Sequence, residues 1–192
     1  MFELHYYLVL SSFCLNIIMS TPEQLHQFYG PEWNTRDTDL DQYEYSGYNL
    51  GEVVRAGERV LHINCGNNPF RGMIPNFQGI DPVNTNADLV TTLEDYVSTH
   101  KTSRYNVAFC LDAFTGTEEY IRSQIALLMQ KMHKRDIRIY WRTTTVGAYP
   151  WTFDMHNRLA EQFDYHVLEA VYDANNTIFA EWNSNNIGLG QS

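Results

Sequence analysis

The chain has 192 residues, 44% of them hydrophobic, and its 23 acidic against 13 basic side chains give a formal net charge of −10. That length makes about one domain, at a prior of roughly 150 residues each, and such a domain buries about 70% of its unfolded surface, so it needs no covalent staple. The acidic excess repels phosphate backbones and disfavours nucleic acid as a partner. Cys14, Cys65 and Cys110 form neither a Cys-x-x-Cys pair nor an even framework, which argues against structural zinc and fits a reducing, cytoplasmic setting.

Residues 1–18 are apolar but carry Glu3 and His5, with no Lys or Arg ahead of the hydrophobic run, which makes a poor secretory signal. The run 6–18 is also shorter than the ~20 residues a membrane helix needs, so no membrane partner is expected. Thr21-Pro22-Glu23-Gln24 has capping-box spacing, Gly30 is placed to stop a short helix, and Met19 just before them is a second candidate start. Residues 1–18 therefore read as an extension outside the native protein, 19–57 as N-terminal helices and a lid loop, and 58–192 as the core. The lid is the stretch 31–48, rich in Asp, Asn, Tyr and Gly. Its Trp33, Tyr43, Tyr45 and Tyr48 either form an aromatic lid over a substrate or pack onto the domain to cover apolar surface.

Residues 50–56 read as a helix closed by Gly57, and 59–64 as a buried strand of the parallel-sheet kind. Further strands follow at 78–81, 88–92 and 105–111, each a near-continuous apolar run. Ile121, Ile125, Leu128 and Met132 recur at helical spacing and predict a helix within 117–133, with Lys131, His133, Lys134 and Arg135 favouring its carboxyl end. A fifth strand spans 137–143, and Trp151, Met155, Leu159 and Phe163 mark one face of a second helix. Strands at 165–172 and 177–182 flank Asp173-Ala174-Asn175-Asn176, a turn cluster suited to an antiparallel pair. The alternation predicts an α/β, doubly wound, mostly parallel sheet with right-handed crossovers, closed by a hairpin that inserts one antiparallel strand.

One segment carries the functional reading. Val60-Leu61-His62-Ile63-Asn64-Cys65-Gly66-Asn67-Asn68-Pro69-Phe70 is a strand ending in a glycine-containing loop, and Gly79-Ile80-Asp81-Pro82 follows about ten residues on. In a doubly wound sheet such a loop lets backbone approach a ligand, and an acidic residue after the next strand accepts hydrogen bonds from ribose hydroxyls. Asp81 has that place, against the plainer reading of a turn residue before Pro82. The G-x-G-x-x-G spacing of dinucleotide folds is absent. With Ser46-Gly47-Tyr48-Asn49-Leu50-Gly51, Ala87-Asp88, Leu93-Glu94-Asp95-Tyr96 and Tyr149-Pro150-Trp151-Thr152-Phe153, these motifs make the chain resemble the class I S-adenosylmethionine-dependent methyltransferases, in particular small bacteriophage-encoded members.

The resemblance implies a seven-stranded Rossmann-like sheet and S-adenosylmethionine as cofactor. Its cofactor-binding residues would be Tyr48, His62, Asn64, Cys65, Gly66, Asp81, Leu93, Glu94 and Leu111. Of these, Cys65 and Gly66 would line the methionine end, Asp81 would hold the ribose, and Leu93 with Glu94 would border the adenine. Residues 111–114 would close the cleft near the methyl group. The chain departs from the pattern at His62, usually acidic, at Asn64 and Asn68, usually glycine or small, and at Thr92, usually Asp. His62 is either a contact to the cofactor's amino acid part or an inert strand histidine. Asp112 is a candidate general base if burial raises its pKa, or a plain loop cap.

Asp/Asn-Pro-Pro-aromatic does not follow the fourth strand, no Pro-Cys nucleophile is present, and the seven histidines lack metal-ligand spacing. The expectation is therefore transfer of a methyl group to oxygen or nitrogen of a small molecule or protein side chain. The alternative is a degenerate copy of the fold that serves as a binding or structural protein, viral in the sense of the phage resemblance and then resident in host cytoplasm.

Overall fold

The computed structural model describes residues 44–45, 48–173 and 176–184. The N-terminal extension, the capped helix after Met19 and most of the expected lid lie outside these residues. Of the lid, only β1 (Glu44–Tyr45) and β2 (Tyr48–Asn49) are described, and they pair antiparallel, Tyr45 opposite Tyr48.

The core is one seven-stranded sheet. Its strands are β3 (Val60–Ile63), β4 (Phe77–Asp81), β5 (Leu89–Val90), β6 (Val107–Leu111), β7 (Arg138–Thr144), β8 (Tyr165–Asp173) and β9 (Thr177–Ser184). They stand in the order β5-β4-β3-β6-β7-β9-β8, with every pair parallel except β7 with β9 and β9 with β8. The expected hairpin thus inserts β9 antiparallel between two parallel strands. All five residues of β6 and all four of β3 are buried, as central strands covered on both faces require.

Three helices pack on one face: α1 (Leu93–Thr99), α2 (Glu118–Met129) and α3 (Phe153–Gln162). Each begins at a threonine whose hydroxyl accepts a backbone N–H three residues on: Thr92 from Asp95, Thr117 from Tyr120 and Thr152 from Met155. Between sheet and helices lie Trp141, Trp151 and Trp182 around a fully buried His156. The His156 Nδ1 accepts from Trp182 Nε1 at 3.2 Å, which places the ring proton on Nε2, 2.9 Å from the Thr143 hydroxyl. The other sheet face is covered by Leu50, Phe70 and Ile74, packed on Val60, Val107, Phe109 and Tyr140.

Three expectations need correction. Residues 50–56 form turns, not a helix, because other partners take the groups a helix would use: the distant Arg138 donates to the Val53 carbonyl at 2.9 Å, and the nearby Glu58 carboxylate accepts from Arg55 N at 2.7 Å. The basic cluster after α2 does not serve its last turn, since α2 stops at Met129. Lys131 instead folds inward, buried, with its ammonium donating to the His100 carbonyl just past α1. Finally, α1 lies where only a cofactor contact was expected, with Leu93 and Tyr96 as its buried face.

Candidate functional site

The carboxyl ends of β3, β4, β5 and β6 meet at one sheet edge. After β3 the chain turns through Asn64, Cys65 and Gly66, and Cys65 N still donates to Ile80 O at 3.0 Å, so the loop starts flush with β4. Gly66 has φ 54, and the space where a side chain would stand is open. Asn64 and Asn68, where the family pattern has small residues, also adopt left-handed backbone at φ 52 and 58. Asparagine tolerates this conformation better than most residues, so the departures keep the backbone path of glycine while adding side chains. The Asn64 amide uses its addition to tie the loop to the segment after β6, donating to Ala113 O at 2.8 Å.

Asp81, the last residue of β4, is the hub. It is 1% exposed, and three backbone N–H groups converge on it: Gly66 on Oδ2 at 3.0 Å, Val83 and Asn84 on Oδ1 at 2.9 and 2.8 Å. Next to it, through Asn84, is an asparagine clasp, in which Asn67 Oδ1 accepts from the amides of Asn84 at 3.0 Å and Asn86 at 3.2 Å. Asn68 donates to Asn86 O at 3.2 Å, and Arg71 pairs with Asp88 at 3.1 Å. Asn84, Asn86, Arg71 and Asp88 were not among the sequence-derived site residues. The signal for the two asparagines was the Asn84-Thr85-Asn86 repeat beside Asp81, and Asp88 stood in the Ala87-Asp88 motif without an assigned role.

The remaining predicted residues divide. Leu93 is buried at the start of α1, while Glu94 is exposed and bonded by the Gln124 amide. Leu111 is buried at the end of β6. Asp112 follows with φ 56, exposed, its N donating to Arg142 O at 2.8 Å and its carboxylate 3.4 Å from Arg142 Nε. The burial that the base reading of Asp112 required is not what the structure holds. Cys65 is buried, and burial together with Asp81 and Asp88 raises its thiol pKa far above the ordinary range, so it is an inert wall. Tyr48 is placed by its backbone alone, in β2.

His62 is not brought to this edge. Its ring lies on the opposite face from the helices, among Phe70, Phe77 and Phe109 at centroid distances of 5.7, 6.0 and 5.9 Å, with Nδ1 buried and unpartnered. Burial lowers its pKa to about 3, so it is neutral. It belongs to the core and not to the cleft.

The loop is packed to close tolerance against β4. A Cβ added at Gly79 would meet Asn68 Oδ1 at 2.5 Å and Cys65 Sγ at 2.9 Å. Gly79→Ala is therefore expected to cost about 1–3 kcal/mol, the usual range for overpacking, and to displace the loop that carries Gly66. Urea denaturation checks this, and a loss under about 0.5 kcal/mol would show that the loop yields freely.

No protein-family model matches the chain, and no curated protein matches its sequence. Solved structures do match its fold. Magnesium protoporphyrin IX methyltransferase from Synechocystis PCC 6803, with bound S-adenosylmethionine, is 12% identical with a TM-score of 0.50, over 67% of this chain and 70% of that one. An S-adenosylmethionine-dependent methyltransferase from Bacteroides fragilis, in complex with S-adenosyl-L-homocysteine, is 10% identical with a TM-score of 0.51, over 77% of this chain and 82% of that one. Counting from β3, the strand order is third, second, first, fourth, fifth, seventh, sixth, with the seventh antiparallel. The fold is that of the class I S-adenosylmethionine-dependent methyltransferases. In this class I methyltransferase fold, the described crossovers from β3 to β4 and from β4 to β5 are made of turns, so the helices stand on one face among the described residues.

The residues at the edge fit such a cofactor. Gly66 offers open space beside left-handed backbone, Asp81 offers a carboxylate next to it, and Leu93 and Leu111 offer apolar walls. Asp81 is 1% exposed, so a ribose reaching it requires a local rearrangement.

Proposed function

We propose that the chain is an S-adenosylmethionine-dependent methyltransferase, of the small kind that bacteriophages encode, acting on oxygen or nitrogen of a small molecule or a protein side chain. The observation that carries the reading is the 3.0 Å bond from Gly66 N–H to the Asp81 carboxylate, which joins the first loop to the end of the second strand at the edge where this fold places its ligand. Gly66 and Asn64 would receive the methionine part, Asp81 the ribose hydroxyls, and Leu93 with Glu94 the adenine.

The cofactor supplies an electrophilic sulfonium methyl group. The protein's part is to hold the acceptor in line with it and to exclude water. Asp112 and Arg142, together at the end of β6 and β7, stand on the acceptor side, where a paired carboxylate and guanidinium orient a polar group. Asp112 is thus assigned to positioning in preference to proton abstraction.

Isothermal titration with S-adenosylmethionine and with S-adenosyl-L-homocysteine tests the reading. Saturable binding of both, with dissociation constants on the order of micromolar, about −8 kcal/mol, is the expected result. No heat with either ligand would leave a methyltransferase-like fold that serves as a binding or structural protein.

A further inference from the structure

Every cation that forms an ion pair among the described residues is an arginine: Arg71, Arg122, Arg138, Arg142 and Arg158. The chain's lysines are Lys101, Lys131 and Lys134, and none of them forms an ion pair among the described residues. All of them stand on two adjoining loops, 100–106 and 130–137. The loops are stitched by Tyr105 N to Lys131 O and His133 N to Tyr105 O, both at 2.9 Å, and by the Lys131 ammonium on His100 O.

The same loops carry Arg104, His133 and Arg135, also without a carboxylate partner among the described residues, and Arg59 lies alongside with its guanidinium 5.1 Å from the Tyr105 ring centre. Lys101, His133, Lys134 and Arg135 are exposed. The Arg104 guanidinium is folded back on its own loop, donating to the carbonyls of Lys101 and Ser103, both at 2.8 Å. Asp136 is the loops' one carboxylate.

This concentration is out of character for a chain with a formal charge of −10. Like charges within a Debye length of about 8–10 Å repel, and carboxylates to neutralise them are in surplus elsewhere. The loops lie at the amino ends of β6 and β7, the edge opposite Asp81 and Asp112, so the charge does not serve the cofactor cleft.

We propose that this basic edge is a docking surface for an acidic segment of a partner protein. None of the exposed large apolar side chains, Met73, Val90, Val146, Tyr149, Leu168 and Tyr172, lies in these loops, so they offer neither a stacking platform for single-stranded nucleic acid nor a wedge for a membrane. The overall negative charge works against a long phosphate polymer, whereas a short carboxylate run meets only the local patch. Such contacts steer association and weaken with salt.

The test is fluorescence anisotropy of labelled octaglutamate with the full chain, at low and physiological salt, beside a labelled oligothymidine of equal charge. The peptide is expected to bind saturably, more weakly as salt rises, and about tenfold more weakly to Lys101→Glu/Lys134→Glu/Arg135→Glu than to the unaltered chain. These side chains are exposed, so the variant keeps its fold, and its circular dichroism and melting temperature confirm that. Failure of octaglutamate to bind, equal binding by the variant, or tighter binding of the oligothymidine each overturns the proposal, the last in favour of nucleic acid. The proposal does not rest on cofactor binding, which the variant leaves untouched.

Discussion

Asp81→Ala is expected to lose about 3–5 kcal/mol of folding stability and all affinity for S-adenosylmethionine. The stability arises because three backbone N–H groups, of Gly66, Val83 and Asn84, end on that one buried carboxylate. Hydrogen bonds to a charged group are worth about 1.5–3 kcal/mol each, and buried donors left without an acceptor pay their full desolvation cost. Against a typical stability of about 5–15 kcal/mol, the alanine variant is marginal, so lost binding in it does not separate a missing ribose contact from a missing fold. Asp81→Asn makes the separation. Its amide oxygen keeps the Val83 and Asn84 bonds and its amide nitrogen opposes the Gly66 N–H, a loss of about 1–3 kcal/mol. A folded Asp81→Asn protein that binds the cofactor much more weakly than the native one assigns the carboxylate to the ribose. Equal binding by the two removes Asp81 from the site, and a urea midpoint unmoved in the alanine variant removes it from the fold.

Acid should unfold the protein steeply below about pH 6.5. His62 and His156 are both buried and neutral, with pKa values lowered to about 3 by burial. In the unfolded chain a histidine titrates near 6.5, so between the two values the unfolded state binds one more proton per histidine, and stability falls as pH falls. Each contributes about 1.4 kcal/mol per pH unit, so the pair removes about 4 kcal/mol between pH 6 and 4.5. The two differ in what replaces them well. His156 is bonded on both nitrogens, to Trp182 and Thr143, whereas His62 has an orphaned Nδ1 among three phenylalanines. His62→Leu should therefore raise stability at neutral pH by about 1–2 kcal/mol and halve the acid slope. Chemical denaturation at several pH values gives both numbers, and a variant with the native slope would falsify the assignment.

The mostly parallel sheet and its inserted antiparallel hairpin were legible because buried strands such as Val107–Leu111 announce themselves as continuous apolar runs. The segment 50–56 was not, since its turns answer in part to Arg138, a partner 85 residues away that no local pattern reveals. Nor was α1, seven residues long, too short to show a helical period and fixed instead by the Thr92 cap. That Gly66 and Asp81 would stand at neighbouring strand ends was readable because a tight turn and a strand-end carboxylate have local signatures. His62 was misplaced because alternation along a strand decides only which face a side chain takes, and that face is set by the phenylalanines it meets. The clasp escaped because asparagine is common in turns, and only the fold brings Asn67, Asn84 and Asn86 onto one another.

That clasp turns affinity into a question of populations. If only the opened loop admits a ribose, the apparent Kd equals the intrinsic one divided by the open fraction, so an opening free energy of about 2.8 kcal/mol weakens binding by about a hundredfold without any contact to the cofactor being lost. Two related chains with identical contact residues would then differ in affinity through asparagines that never touch the ligand.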